Sequence, residues 1–241
     1  MYKNCLKRFF DLTISFLAIV ILSWLFLIIA IVIKCDSKGP VFFKQKRIGK
    51  NKKHFTILKF RTMRTDTPPD APTHELSDPK RWITKVGSFL RKTSLDELPQ
   101  IFNIFVGHMS IIGPRPALWN QFDLIEERDK YKANDVRPGL TGWAQINGRD
   151  ELAIPVKAKL DGEYVEKMGF YFDCKCFFGT IKAVLTRKGV VEGENKPKEE
   201  NTVNSEVECE SHDFVAATDM EEGNSSKEIV DDEKDIDNGS K

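Results

Sequence analysis

The stretch from Leu12 to Ile33 runs 22 residues without a charged side chain. As a helix rising about 1.5 Å per residue it would reach about 33 Å, the depth of a bilayer's hydrocarbon core. Ile, Leu, Phe and Val cover every side of it, whereas a helix at the edge of a soluble core keeps a polar face. A secretory signal fits poorly, because the run is too long and no small-x-small pattern follows it. Residues 1–36 are therefore expected to form a membrane anchor. Lys3, Lys7 and Arg8 precede the run, and a denser set (Lys34, Lys38, Lys44, Lys46, Arg47, Lys50, Lys52 and Lys53) follows it. That bias predicts a body on the cytoplasmic side. The N-terminal charges would face outward if the helix spans, and would stay cytoplasmic if the segment turns back. Ser23 could help such a bend, but Trp24 stands where a proline would break the helix better. Both topologies stay open.

The net charge of +1 averages two regimes. From residue 192 onward there are 17 acidic against 5 basic side chains; the other 191 residues carry 19 acidic against 32 basic. A basic body suits phosphates, anionic lipid or nucleic acid. Nucleic acid is set aside, since no nucleic-acid motif occurs and the chain is anchored. The acidic, nearly aromatic-free tail, 192–241, is expected to be disordered. Cys5, Cys35, Cys174, Cys176 and Cys209 are too scattered for a disulfide framework and are read as free thiols. His54, His74, His108 and His212 show no ligand spacing.

Between anchor and tail, 37–191 reads as one α+β domain, helix-rich with a small hairpin. The two strands are Val41–Lys46 and His54–Phe60, on either side of Gly49-Lys50-Asn51. Met63 to Trp82, with Pro68, Pro69, Pro72 and Pro79, reads as a loop. Val86–Lys92 reads as a basic helix, and Leu98, Ile101, Phe102 and Phe105 mark the apolar face of the next, ended by Gly107. Gly113-Pro114-Arg115-Pro116 must be a loop. Asn120–Lys132 reads as a charged, exposed helix. In the last helix Cys174, Phe177, Phe178, Ile181, Val184 and Leu185 form an apolar stripe, and Gly189 is its expected cap. That stripe packs on the core or lies in the membrane interface.

The chemical lead is the adjacent pair Asp96 and Glu97. Ser94-x-x-Glu97 reads as a capping box, which is a purely structural role. Pro99 argues for a helix starting nearer itself, with the two acids just ahead of it. A carboxylate can attack phosphorus, and a neighbouring acid can help to hold Mg²⁺, which takes hard oxygen ligands and substrate phosphates. Charge developing on a transferred phosphoryl group needs cations. Lys59, Arg61, Arg91, Lys92 and Arg115 are the candidates. Arg115 sits between prolines that fix its backbone, and its planar fork suits phosphate.

Several runs, taken in order, resemble the bacterial sugar transferase family, the monotopic phosphoglycosyl transferases of the small single-domain type. They are Lys7-Arg8-Phe9-Phe10-Asp11, Gly39–Gln45, Lys59–Met63, Arg91–Gln100, Gly113–Pro116 and Arg137–Arg149, spread over residues 3 to 190. The resemblance implies that Asp96 attacks the β-phosphate of a UDP-sugar, releases UMP and carries the phosphosugar until undecaprenyl phosphate takes it. It implies Glu97 as partner acid and Mg²⁺ against Asp96. Arg91 and Arg115 would hold phosphate, with Lys59 and Arg61 lining the same pocket. The Arg137–Arg149 loop would lie near the nucleotide, with Arg137, Gln145 and Asn147 as binding candidates. It further implies a cytoplasmic-membrane location, lipid contact, other glycan-assembly enzymes as partners, and a re-entrant anchor. The family often has Gly-Asp-Met-Ser where this chain has Gly107-His108-Met109-Ser110. Two other readings are carried: transfer of the bare sugar with release of UDP, and an inactive membrane scaffold for anionic lipid or glycan-assembly enzymes.

Overall fold

The computed structural model describes residues 2–67, 79–148 and 151–186. The acidic tail, Arg149, Gly189 and most of the proline-rich loop lie outside the described residues. One wide helical turn, Tyr2–Leu6, leads into α1, Lys7–Asp36. This helix passes Ser23-Trp24 without interruption. The Ser23 hydroxyl donates to the carbonyl of Val20 at 2.9 Å, a side-chain back-bond of the sort that bends rather than breaks a helix. By length and composition α1 could cross a membrane, and only 11% of its most apolar 18 residues are buried.

What α1 does bury lies on one face along its whole length. Lys7, Asp11, Ser15, Ile29 and Ile33 are buried, and Ala18, Leu22, Leu25 and Phe26 are half-buried between them. The three- and four-residue steps keep these side chains on one stripe. The opposite side leaves Val20, Ile21, Trp24, Leu27 and Ile31 exposed.

The domain that receives this face is mixed, with short helices around two small sheets. Strands β1, Phe42–Ile48, and β2, His54–Phe60, form an antiparallel hairpin, with Phe42 opposite Phe60 and Ile48 opposite His54. The turn passes through Asn51 and Lys52, both with positive φ. Helices α2, Pro79–Trp82, and α3, Lys85–Lys92, precede a single 3₁₀ turn, Leu95–Glu97, and helix α4, Gln100–Val106. Gly107 closes α4 at φ +96, a conformation that costs a glycine little. Asn103 of α4 covers the open edge of β2: its Oδ1 accepts from Leu58 N at 2.9 Å and its Nδ2 donates to Thr56 O at 2.7 Å.

A second sheet pairs β3, Ser110–Ile112, in parallel with β4, Gly139–Thr141. Helix α5, Phe122–Asp129, lies between them in sequence, and α6, Trp143–Ile146, α7, Ile154–Lys167, and α8, Phe170–Thr186, follow. The charged helix is shorter than the sequence suggested and is not wholly exposed. Arg128 is buried and donates twice to Asp161 Oδ2 of α7, at 2.8 and 2.5 Å.

Helix α8 turns a face inward that its apolar periodicity did not single out. Phe172, Asp173 and Cys176 are buried, while Phe177, Phe178 and Ile181 stay exposed. The polar members of the inward face have partners, which is why they can be buried. Of the apolar stripe, Phe177, Phe178 and Ile181 are thus left on the surface and Cys174 is half-buried. Cys5, Cys35, Cys174 and Cys176 are free thiols.

Candidate active site

The turn Leu95–Glu97 is built from its two flanking leucines. Leu95 and Leu98 pack against the cluster of Ile29 and Ile33 from α1, Phe60 from β2 and Leu90 from α3. Leucines three residues apart share a face, so the acids between them are turned away from that cluster. Ser94 sits in the left-handed region at φ 56, ψ 16, and its side chain makes no capping bond. The capping-box reading therefore does not describe this turn. Helix α4 begins after Pro99, which fits its fixed φ. Left-handed backbone at a non-glycine residue is costly and clusters at functional sites.

Around the acids stand three cations from three elements. Lys59, near the end of β2, reaches Glu97 Oε1 at 2.7 Å and lies 4.0 Å from Asp96 Oδ2. Arg115 donates from Nη2 to the same Glu97 oxygen at 2.9 Å. Arg91, near the end of α3, donates from Nε to the Thr62 hydroxyl at 2.9 Å and acts on Asp96 through its charge. Burial alone would raise the Glu97 carboxyl, but Arg115 and Lys59 pull it well below the ordinary range. Asp96 goes the other way. Burial raises it, the Glu97 charge adds to the rise, and Lys59, Arg91 and Arg115 only partly offset this. Asp96 accepts no hydrogen bond among the described residues, so Glu97 is the committed acid and Asp96 the reserved one.

Arg115 is aimed by close backbone packing. Gly113 N donates to Thr141 O, and Gly139 N to Pro114 O, both at 2.8 Å. A Cβ at Gly142 would lie 2.1 Å from Gly113 O, so only glycine lets these strands approach. On the other side of β3, Asp11 Oδ1 of α1 accepts from Ile111 N at 2.9 Å and from the Ser110 hydroxyl at 3.1 Å.

The remaining candidates are placed elsewhere. The Arg61 guanidinium is buried and donates to the carbonyls of Lys38 and Ser37, each at 2.7 Å, clasping the chain where α1 ends. It is therefore held at the anchor's exit rather than at the acid pair. Arg137 donates from Nε to Gly107 O at 3.0 Å, at the end of α4. Asn147 is exposed and closes its own turn on Trp143 O at 2.8 Å. Gln145 is 6% exposed, and neither of its buried amide atoms has a hydrogen-bond partner among the described residues.

Sequence reasoning missed a buried polar clasp at the start of the anchor. Asp173 Oδ2 accepts from Lys7 Nζ and from the Tyr2 hydroxyl, both at 2.6 Å. The Tyr164 hydroxyl lies 2.8 Å from Asp173 Oδ1 and 3.0 Å from Ile112 O. Burial and the Asp173 charge push both tyrosine hydroxyls far above the ordinary range, so they stay protonated. An acid inside the inward face of an apolar helix was the available signal.

Residues 2–187 match the family model described as bacterial sugar transferase. The chain belongs to that family and is a transferase. It is 39% identical over 202 residues to the uncharacterized sugar transferase EpsL of Bacillus subtilis (strain 168), covering 84% of this chain and 98% of that protein. It is 42% identical over 189 residues to the undecaprenyl-phosphate glucose phosphotransferase of Komagataeibacter xylinus, covering 73% of this chain but 35% of that one. Against the UDP-glucose:undecaprenyl-phosphate glucose-1-phosphate transferase of Escherichia coli (strain K12), identity is 38% over 187 residues, 74% of this chain and 40% of that one. This chain thus spans less than half the length of the last two.

Proposed function

We propose that this protein moves a sugar-1-phosphate from a UDP-sugar to undecaprenyl phosphate at the cytoplasmic membrane, releasing UMP, as the first membrane step of bacterial surface polysaccharide synthesis. The observation that carries the reading is the division of labour in the acid pair. Glu97 is held closely by Lys59 and Arg115, while Asp96, beside the same cations, has a 4.0 Å ion pair to Lys59 and accepts no hydrogen bond among the described residues. A carboxylate oxygen of Asp96 attacks the β-phosphorus as the bond to UMP breaks, leaving the phosphosugar on Asp96 as an acyl phosphate. A phosphate oxygen of the carrier then attacks the same phosphorus and frees Asp96. Lys59, Arg91 and Arg115 stabilise the charge that spreads over the phosphoryl oxygens. Glu97 holds Lys59 and Arg115 in place.

Asp96 and Glu97 are the two carboxylates at the site, and Mg²⁺ is commonly held by one or two carboxylates together with substrate phosphates. Asp96 would hold it, and the ion would supply charge neutralisation to the diphosphate.

The anchor's geometry supports a topology in which both of its ends stay on the cytoplasmic side. Lys7 and Asp11 are tied to Asp173 and Ile111, while Ile29 and Ile33 pack on Phe60 and Leu90 of the same domain. A simple span would have to draw part of that domain through the bilayer. Cys5 and Cys35 flank the anchor and are exposed. A membrane-impermeant thiol reagent applied to intact cells should label neither; labelling of Cys5 alone would establish a span.

For the reaction, membranes holding the protein are to be incubated with a panel of UDP-sugars and undecaprenyl phosphate. UMP should appear only with the correct sugar. UDP as product would mean transfer of the bare sugar, and no nucleotide release with any sugar would favour a scaffold.

A further inference from the structure

A groove of about 540 Å³ lies between the hairpin and α4, away from the cation ring of the acid pair. Volumes of this size are ordinary for small-molecule sites. Its rim carries Lys44, His54 and His108, and its apolar wall is made by Leu58, Phe102 and Val106. All three basic side chains are exposed, no carboxylate lines the groove, and none of the three makes a hydrogen bond or ion pair among the described residues. Two further cations crowd the end of α4 beside His108. Arg8 donates to the carbonyls of Ile104 and Phe105 at 2.6 and 2.8 Å, and Arg137 to that of Gly107. Burial and then repulsion from Arg137 hold the Arg8 guanidinium below its ordinary value, with Asp11 only partly offsetting them.

The apolar wall continues onto the anchor. Phe102 lies 5.4 Å, ring to ring, from Phe26 of α1, and its helix neighbour Phe105 lies 6.3 Å from Phe16. Val106 is 61% exposed at the same end of α4. A ligand here meets the Lys44 ammonium and two imidazoles that can donate hydrogen bonds at one end, and a surface continuous with the apolar helix at the other. That combination selects an anionic amphiphile over a free phosphate, which would gain nothing from the wall.

We propose that this groove holds the headgroup of an anionic phospholipid of the surrounding leaflet, with its acyl chains running along Phe102 and Val106 toward α1. The site rests on the membrane reading above and is independent of the acid pair. Its role is to fix how the domain is seated on the bilayer surface.

The test uses the full chain in mild detergent, with phosphatidylglycerol or phosphatidylcholine added and bound lipid counted by native mass spectrometry. Wild type should retain one phosphatidylglycerol that phosphatidylcholine does not displace. Lys44→Gln with His108→Gln should lower its occupancy about tenfold, and Lys44→Arg alone should keep it. Lys159→Gln, an exposed lysine of α7, should leave it unchanged. All of these variants should release UMP as wild type does in neutral detergent. Equal retention by the double variant would overturn the site. So would an equal loss in Lys159→Gln, which would mean general charge attraction. One-for-one displacement by undecaprenyl phosphate would also overturn it, making the groove an acceptor site. A wild-type chain soluble without detergent and taking up neither lipid would bring down the membrane reading as well.

Discussion

Two buried clusters of opposite charge can be set side by side. At Arg128–Asp161 one guanidinium meets one carboxylate, the side chains are 4% and 1% exposed, and the charges cancel. At Asp96–Glu97 three cations face two carboxylates, and Arg115 is 39% exposed. The first arrangement joins α5 to α7 inside the fold, both Arg128 bonds going to one oxygen of Asp161 while the other oxygen is buried without a partner among the described residues. The second gathers Lys59, Arg91 and Arg115 around Asp96 and Glu97 and is open to solvent at Arg115, so an anion can reach its cations. Ion pairing alone does not separate structure from chemistry, whereas the route to solvent does.

The comparison breaks most sharply at Asp96. Replacing it with Asn should cut UMP release by at least about 10⁴-fold, while the protein still folds. The sign of the pKa shift adds a second outcome. Asp96 has a folded value above its unfolded one, so its favourable contribution is present below the unfolded value, about 3.9, and is lost as pH rises through the folded value. At pH 7 the ionised group is a cost, so Asp96→Asn should melt at the same or a higher temperature than wild type. A clearly lower melting temperature would mean that the carboxylate is structural.

Arg128→Met tests the closed cluster. It leaves Asp161 charged and unpaired, which should cost about 3–5 kcal/mol in chemical denaturation, while UMP release per folded molecule stays near wild type. Arg115→Met should show the reverse emphasis, a roughly 10²-fold loss of kcat with a smaller destabilisation than at Arg128, because Lys59 still pairs with Glu97, and Arg115→Lys should recover part of it. The smallest expected effect is at Glu97. Its folded value is depressed, so its stability contribution is present above the unfolded value, about 4.3, and is lost as pH falls through the folded one. Glu97→Gln should therefore destabilise the protein by roughly 2 kcal/mol at pH 7, with the difference from wild type shrinking in strong acid. Two neighbouring acids would then move the melting temperature in opposite directions.

The hairpin, the long apolar helix and the position of the acid pair were legible because each rests on local signals: period-two strands around a glycine turn, an uncharged run, and a proline that sets where α4 starts. What was not legible depended on pairing across the chain. The fate of Arg61 was fixed by carbonyls at 37 and 38, and the inward face of α8 by Lys7 and Tyr2, more than 160 residues away. An apolar stripe marks a face that avoids water, but it does not say whether protein or lipid covers that face. On α8 the protein took the side that offered hydrogen bonds and left the aromatic side outside.

Leu95 and Leu98 share a core with Ile29 and Ile33, so the hydrophobic N-terminal helix is also the floor under the acid pair. Trimming it away to obtain a soluble enzyme would strip that floor and leave the acid pair on an unsupported turn. Solubility here has to be sought by redesigning the helix's outer side, through Val20, Ile21, Trp24, Leu27 and Ile31, with the inner side left as it is.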